Sequence, residues 1–236
     1  MNIKKHIPNL ITLINLFCGC IAVVFISEAN YEMAFYMVCL GIFFDFFDGF
    51  FARLFKVSSP LGLQLDSLAD MVSFGLLPGL TLYAALEPFG KMFLGTELPF
   101  EIKYLGLFVT LFSCLRLAIF NLDEDQKYYF KGLNTPSNTI LIFGLYYAFK
   151  ENQSFEFLMN NEVLLIIFTL LCSWLLISPI KMIAMKFKSM KLQDNYPKLA
   201  LLIGSVIILI IFKTVGIPMV IIYYILISIL FQKQLN

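Results

Sequence analysis

Asp45 and Asp48 are followed by Gly49, Ala52 and Arg53 and then, after eight residues, by Gly62, Asp66 and Asp70. The surrounding residues are mostly Phe, Leu and Ala, as in a membrane segment. An aspartate there costs about 2.5–3.5 kcal/mol or more and marks a functional site by default. On a helix, residues three and four apart share a face. Asp45, Asp48 and Ala52 then line one stripe, and Gly62, Asp66 and Asp70 line another. Two antiparallel helices joined through the turn signal Ser58-Ser59-Pro60 can face these stripes toward each other. The product is an all-oxygen pocket without Cys or His, suited to Mg²⁺ or Mn²⁺ rather than zinc or copper. Gly49 and Gly62 leave the helix backbone open to a bulky ligand, and Arg53 offers a fixed charge to a phosphate or carboxylate. Two metals in such a pocket can hold a diphosphate and stabilise the attacking and leaving oxygens of an in-line displacement at phosphorus. The bland alternative is charges solvating helix ends, with Arg53 paired to an aspartate; four aspartates on two facing stripes argue against it.

The elements that must position these residues are apolar helices. The chain has 236 residues, 60% hydrophobic and 14% charged, where a soluble domain carries about 25% charged residues. Its mean hydropathy is +0.84. The expected class is an all-α polytopic membrane protein of about eight transmembrane helices, since a span needs about 20 mainly apolar residues. The stretches are 9–27, 31–52, 65–86, 104–120, 137–149, 162–180, 198–213 and 216–232, with a tight turn expected at Lys213-Thr-Val-Gly216-Ile-Pro218. The first 27 residues read as a retained span rather than a cleaved leader, because the apolar run is long and Cys18-Gly-Cys20 lies inside it. No repeat divides the chain, so residues 1–236 read as a single membrane domain, with a catalytic core at 7–140 and additional helices at 162–232.

Charge sets the expected orientation. With eight spans, one side receives Lys4, Lys5, Arg53, Lys56, Lys127, Lys131, Lys181, Lys186, Lys188, Lys191, Lys198 and Lys233, and the other Lys91, Lys103, Lys150 and Lys213. The positive-inside rule then places both termini, and the Asp45–Asp70 stretch, on the cytoplasmic side of the cell membrane. Net charge is +1, which excludes a bulk electrostatic case for nucleic acid. Cys18, Cys20, Cys39, Cys114 and Cys172 read as buried thiols. The lone His6 beside Lys4 and Lys5 excludes a histidine-centred triad.

The pattern D-x2-D-G-x2-A-R-x8-G-x3-D-x3-D, complete here from Asp45 to Asp70, resembles the signature of the CDP-alcohol phosphatidyltransferase family. The resemblance implies transfer of a phosphatidyl or related group from a CDP-linked donor to an alcohol with release of CMP, and two divalent cations, Mg²⁺ or Mn²⁺. It implies that Asp45, Asp48 and Asp66 ligate the metals, Asp45 and Asp66 bridging them. Asp70 completes the second metal and acts as general base. Gly49 and Arg53, with Ser59, would contact the CDP-lipid. Pro8-Asn9-Leu-Ile-Thr12 is similar to the family's element at the cytidine end of the donor, though Asn9 and Thr12 also suit helix capping. A homodimer is expected by the same resemblance.

The acceptor is read from flanking residues. Asp70-Met-Val-Ser73-Phe-Gly-Leu-Leu-Pro78, Arg116-Leu-Ala-Ile119-Phe-Asn121 and the run Tyr129 to Pro136 are similar to the members of the family that use serine; Ile119 and Asn134 depart from their pattern. The expected reaction is CDP-diacylglycerol plus L-serine giving phosphatidylserine and CMP. Arg116 or Lys131 would bind the serine carboxylate, and Asn121 or Ser73 would add hydrogen bonds. Arg116 could instead snorkel to the interface or pair with Asp123, and Lys131 could be a surface residue. Phosphatidylglycerophosphate or phosphatidylinositol-phosphate synthesis is the alternative within the family, and Lys181, Lys186, Lys188 and Lys191 suit contact with anionic lipid. A divalent-cation transporter is the alternative of another class.

Overall fold

In the computed structural model, residues 6–57, 59–123, 129–184 and 192–232 are described. Ser58 of the expected turn, and Lys4, Lys5, Lys127, Lys186, Lys188, Lys191 and Lys233 of the charge count, lie outside the described residues. The described chain is helical apart from two short antiparallel ladders. It is a polytopic membrane protein by the length and apolarity of its helices. It divides into two compact units, Met1–Leu117 and Ala118–Asn236.

The first unit begins with α1 (Ile7–Ser27), which has proline in its first turn. Ala29 takes a left-handed φ of 56°, and Asn30 caps α2 (Tyr31–Leu54) by accepting the Met33 N–H at 3.2 Å. The two helices therefore fold back on each other. The buried positions of α1 include 8, 12, 15, 19, 22 and 26, and those of α2 are 34, 38, 41 and 48. Steps alternating between three and four residues form one seam, and its small members, Gly19, Ala22, Ala34 and Gly41, allow close approach. Asp45 and Asp48 lie on the α2 side of that seam. Phe43, Phe46 and Phe50 are exposed on the outer side, where lipid would meet them.

Ser59 caps α3 (Pro60–Asp70) by accepting the Gly62 N–H at 3.0 Å, with Pro60 opening the helix. The third helix thus starts before residue 65, where the sequence places the span. After Asp70 the helix widens into a π segment, Met71–Leu76, and continues as α4 (Leu77–Leu86). A hairpin of β1 (Met92–Phe93) and β2 (Thr96–Glu97) and a 3₁₀ turn, Ile102–Leu107, lead into α5 (Phe108–Leu122). The Thr110 hydroxyl donates to the Gly75 carbonyl at 3.0 Å, tying α5 to the π segment.

The second unit holds α6 (Thr135–Asn152), the single turn α7 (Glu156–Met159), α8 (Glu162–Ile177) and α9 (Leu192–Leu230). β3 (Tyr129–Lys131) pairs antiparallel with β4 (Lys181–Ile183), so the last residues of the expected 162–180 span leave the helix. α9 is two arms. Lys213 breaks it with φ 51° and ψ −125°. The Tyr223 hydroxyl donates to the Ala200 carbonyl at 2.9 Å, although 23 residues of straight helix would separate them by roughly 35 Å. A β-carbon on Gly216 would meet the Ile208 carbonyl at 2.9 Å. The arms are an antiparallel hairpin, matching the expected stretches 198–213 and 216–232. Its turn sits at Lys213, and Gly216 and Pro218 lie within the second arm. Cys18 and Cys172 are buried, whereas Cys20, Cys39 and Cys114 are exposed on outer apolar faces, so buried thiols describe only two of the five.

Candidate metal and substrate site

The seam of α1 and α2 and the capped start of α3 bring the aspartates together. One carboxylate oxygen from each of Asp45, Asp48 and Asp66 lies within 4.8 Å of the others. Asp70, one turn beyond Asp66, lies beside Asp45, and its Oδ1 is buried with no partner. At 4.8 Å two like charges repel by about 3.5 kcal/mol for an effective dielectric of about 20. Three such pairs, with Asp70 beside them, make a cluster that calls for positive charge. Arg116 supplies some: it is 7% exposed, and its charge acts on Asp70. One arginine cannot balance four carboxylates. An all-oxygen set with an orphaned buried carboxylate oxygen fits hard divalent cations.

α1 contributes the donors. The Thr12 hydroxyl donates to Asp48 Oδ2 at 2.7 Å, with the Pro8 carbonyl as a second acceptor at 3.1 Å. Asn15 Nδ2 donates to Asp45 Oδ1 at 3.4 Å, long for a hydrogen bond and directed at a charge. Beside the aspartates opens a cleft of about 220 Å³ lined by Asn9, Thr12, Asp48, Gly49, Ala52, Ser59, Gly62 and Asp66. A β-carbon on Gly62 would lie 3.1 Å from Asn9 Oδ1 and 3.2 Å from Ser59 Oγ, so the cleft owes its depth there to the missing side chain. Arg53 is exposed, and its guanidinium lies over Gly49, 3.8 Å from where a β-carbon would sit.

The residues anticipated for the donor therefore gather around one cleft: Asn9, Thr12, Gly49 and Ser59 line it and Arg53 flanks it. Those anticipated for the acceptor divide. Arg116 is buried with its charge in reach of Asp70, but Ser73 is buried beneath α1 and donates its hydroxyl to the Asn15 carbonyl at 3.2 Å. Its proton is thereby committed to the backbone. Asn121 and Lys131 belong to the second unit. Lys131 Nζ lies 2.8 Å from Asp123 Oδ2 on the surface, the ion pair that the sequence reading offered to Arg116. Asn15 was not anticipated at all. The signal that could have found it is the three-residue step Asn9, Thr12, Asn15 in an otherwise apolar helix.

Comparison with known proteins places this geometry among relatives. Residues 5–175 match the model of the CDP-alcohol phosphatidyltransferase family. The chain is similar to the CDP-diacylglycerol–serine O-phosphatidyltransferase of Saccharomyces cerevisiae, 33% identical over 167 residues, 64% of this chain and 57% of that protein. The Bacillus subtilis protein of the same name is 32% identical over 177 residues, 75% of this chain and 89% of its own length. That of Helicobacter pylori is 30% identical over 177 residues, 74% and 70% of the two chains. The aligned stretch thus spans little more than half of the yeast protein and most of the Bacillus one.

Proposed function

The chain belongs to the CDP-alcohol phosphatidyltransferase family, and from that premise we propose that it transfers a phosphatidyl group from CDP-diacylglycerol to L-serine, giving phosphatidylserine and CMP. The observation that carries the chemistry is the convergence of Asp45, Asp48 and Asp66, with Asp70 beside them, at the edge of a cleft lined by Asn9, Thr12 and Gly62. The choice of serine rests on the name shared by relatives from a yeast and two bacteria.

Asp45, Asp48, Asp66 and Asp70 would hold two divalent cations, Mg²⁺ or Mn²⁺, which when bound supply positive charge against the donor diphosphate and the departing phosphate. Asn9, Thr12, Gly49 and Ser59 shape the cleft for the CDP end of the donor. Arg53, on its rim, pairs with donor phosphate, a task suited to a guanidinium. Asp70 accepts the proton of the serine hydroxyl, and its unpartnered Oδ1 is the atom available for it. The serine oxygen bonds to the diacylglycerol-proximal phosphorus. The bond from that phosphorus to the bridging oxygen breaks, and its electron pair leaves on CMP. Arg116 holds the serine carboxylate and steadies the charge on Asp70.

The twelve-to-four distribution of basic residues supports a site opening to the cytoplasm, where serine is dissolved, in a multi-pass protein of the cell membrane. The catalytic core in this reading is residues 7–140 of one membrane domain, α8 and α9 are helices added to it, and the enzyme works as a homodimer. An acceptor screen tests the reading: purified protein with CDP-diacylglycerol and Mn²⁺ or Mg²⁺, offered serine, glycerol-3-phosphate, inositol phosphate or choline. CMP release with serine alone is expected; release with a phosphorylated alcohol alone would overturn the choice of acceptor.

A further inference from the structure

Asn15 lies outside the pattern of aspartates, yet it is built into the site from three sides. It is fully buried. Its Nδ2 donates to Asp45 Oδ1 at 3.4 Å, its carbonyl accepts the Ser73 hydroxyl at 3.2 Å, and a β-carbon on Gly41 would lie 3.4 Å from its Oδ1. The same arrangement recurs one turn away, where Thr12 donates to Asp48 at 2.7 Å. Because α1 and α2 run antiparallel, two donors three residues apart meet two carboxylates three residues apart, 12 with 48 and 15 with 45.

A carboxylate turns about its terminal torsion, and that torsion is broad and soft. A donor fixed on one oxygen sets the plane of the group and so directs the other oxygen. In metal sites such outer partners typically change affinity by about 10–100-fold when removed. An amide is suited to the task here because it donates without adding charge. Its orientation is one-way as well: the reversed amide would set its oxygen against the Asp45 carboxylate, and no hydrogen-bond donor meets Asn15 Oδ1 where it now lies.

We propose that Asn15 is a positioning residue for the cation site: its amide fixes the carboxyl plane of Asp45 so that the free oxygen converges with those of Asp48 and Asp66. The proposal rests on the reading of the aspartates as a divalent-cation site. It assigns to the buried face of α1 a part in metal binding, separate from the part of Asn9 and Thr12 in lining the cleft.

The test is direct Mn²⁺ binding to purified, detergent-solubilised protein without lipid substrate, read from the electron paramagnetic resonance signal of free Mn²⁺. Wild type is compared with Asn15→Leu, which keeps the volume and removes the donor, and Asn15→Ser, which is too short to reach Asp45. Thermal unfolding of the metal-free proteins is followed alongside. The expected result is Mn²⁺ affinity at least tenfold weaker in the variants that fold, with metal-free unfolding midpoints close to wild type. Mn²⁺ affinity within twofold of wild type in a folded variant overturns the positioning role. Weakened affinity matched by an equally lowered metal-free stability also overturns it, in favour of a purely structural residue. Absence of Mn²⁺ binding by wild type overturns instead the cation-site reading on which the proposal stands.

Discussion

The Thr12 hydroxyl donates to Asp48 Oδ2 at 2.7 Å, across the seam between α1 and α2. Asp48 is 6% exposed and Thr12 4%, so the bond is made between two buried side chains at the wall of the cleft. The first helix thus serves the aspartate cluster as well as the cleft wall. Replacing Thr12 by Val keeps the shape and removes the donor. The expected outcome is a rise of about tenfold or more in the Mn²⁺ concentration needed for half-maximal CMP release. An unchanged Mn²⁺ midpoint with a raised KM for CDP-diacylglycerol would instead give Thr12 the donor lipid as its main partner.

Asp70→Asn removes the proposed proton acceptor and keeps the volume. Turnover is expected to fall to background while CDP-diacylglycerol still binds, because Asn9, Thr12, Gly49 and Gly62 shape the cleft independently of residue 70. CMP release and equilibrium binding of labelled donor check this in one preparation. Near-normal turnover would remove Asp70 as the base.

Gly62→Val places branched carbon 3.1 Å from Asn9 Oδ1 and 3.2 Å from Ser59 Oγ, at the wall of the cleft. The outer residues of α3 are unaffected, so the protein should still fold. The expected effect is a KM for CDP-diacylglycerol at least tenfold higher, measured at saturating serine.

Ser59→Ala removes the cap of α3, at an expected cost of about 1 kcal/mol of stability. α3 carries Asp66 and Asp70, so fraying at its start loosens both. A lowered unfolding midpoint with an unchanged donor KM identifies Ser59 as a cap alone, whereas a raised KM identifies it as a donor ligand too.

Much of this site was legible in the sequence, for reasons that are local. The i, i+3 and i, i+4 spacing of the aspartates is helical geometry, and Ser59-Pro60 is a capping signal that depends on adjacent residues only. What was not legible is what tertiary contact decides. The π segment after Asp70 has no residue signature, and it is held by contacts such as Thr110 with the Gly75 carbonyl. Pairing of β3 with β4 joins residues about fifty positions apart, from two stretches too short to read as strands. The α9 turn was expected within Lys213-Thr-Val-Gly216-Ile-Pro218 and falls at its first residue: Lys213 takes the positive φ, while Gly216 lies where the arms touch at Ile208. Ser73 looked like a substrate residue by resemblance, and its burial against Asn15 follows from the packing of α1 on the π segment.

The central claim is transfer of the phosphatidyl group to serine, and labelled serine measures it most directly. Purified protein is incubated with CDP-diacylglycerol, labelled L-serine and Mn²⁺, and label in extracted lipid is counted against CMP released. The account predicts one labelled phosphatidylserine per CMP, dependence on CDP-diacylglycerol, loss on chelation by EDTA and recovery on adding back Mn²⁺ or Mg²⁺. CMP release without label in lipid, or labelled lipid formed undiminished in EDTA, would contradict it.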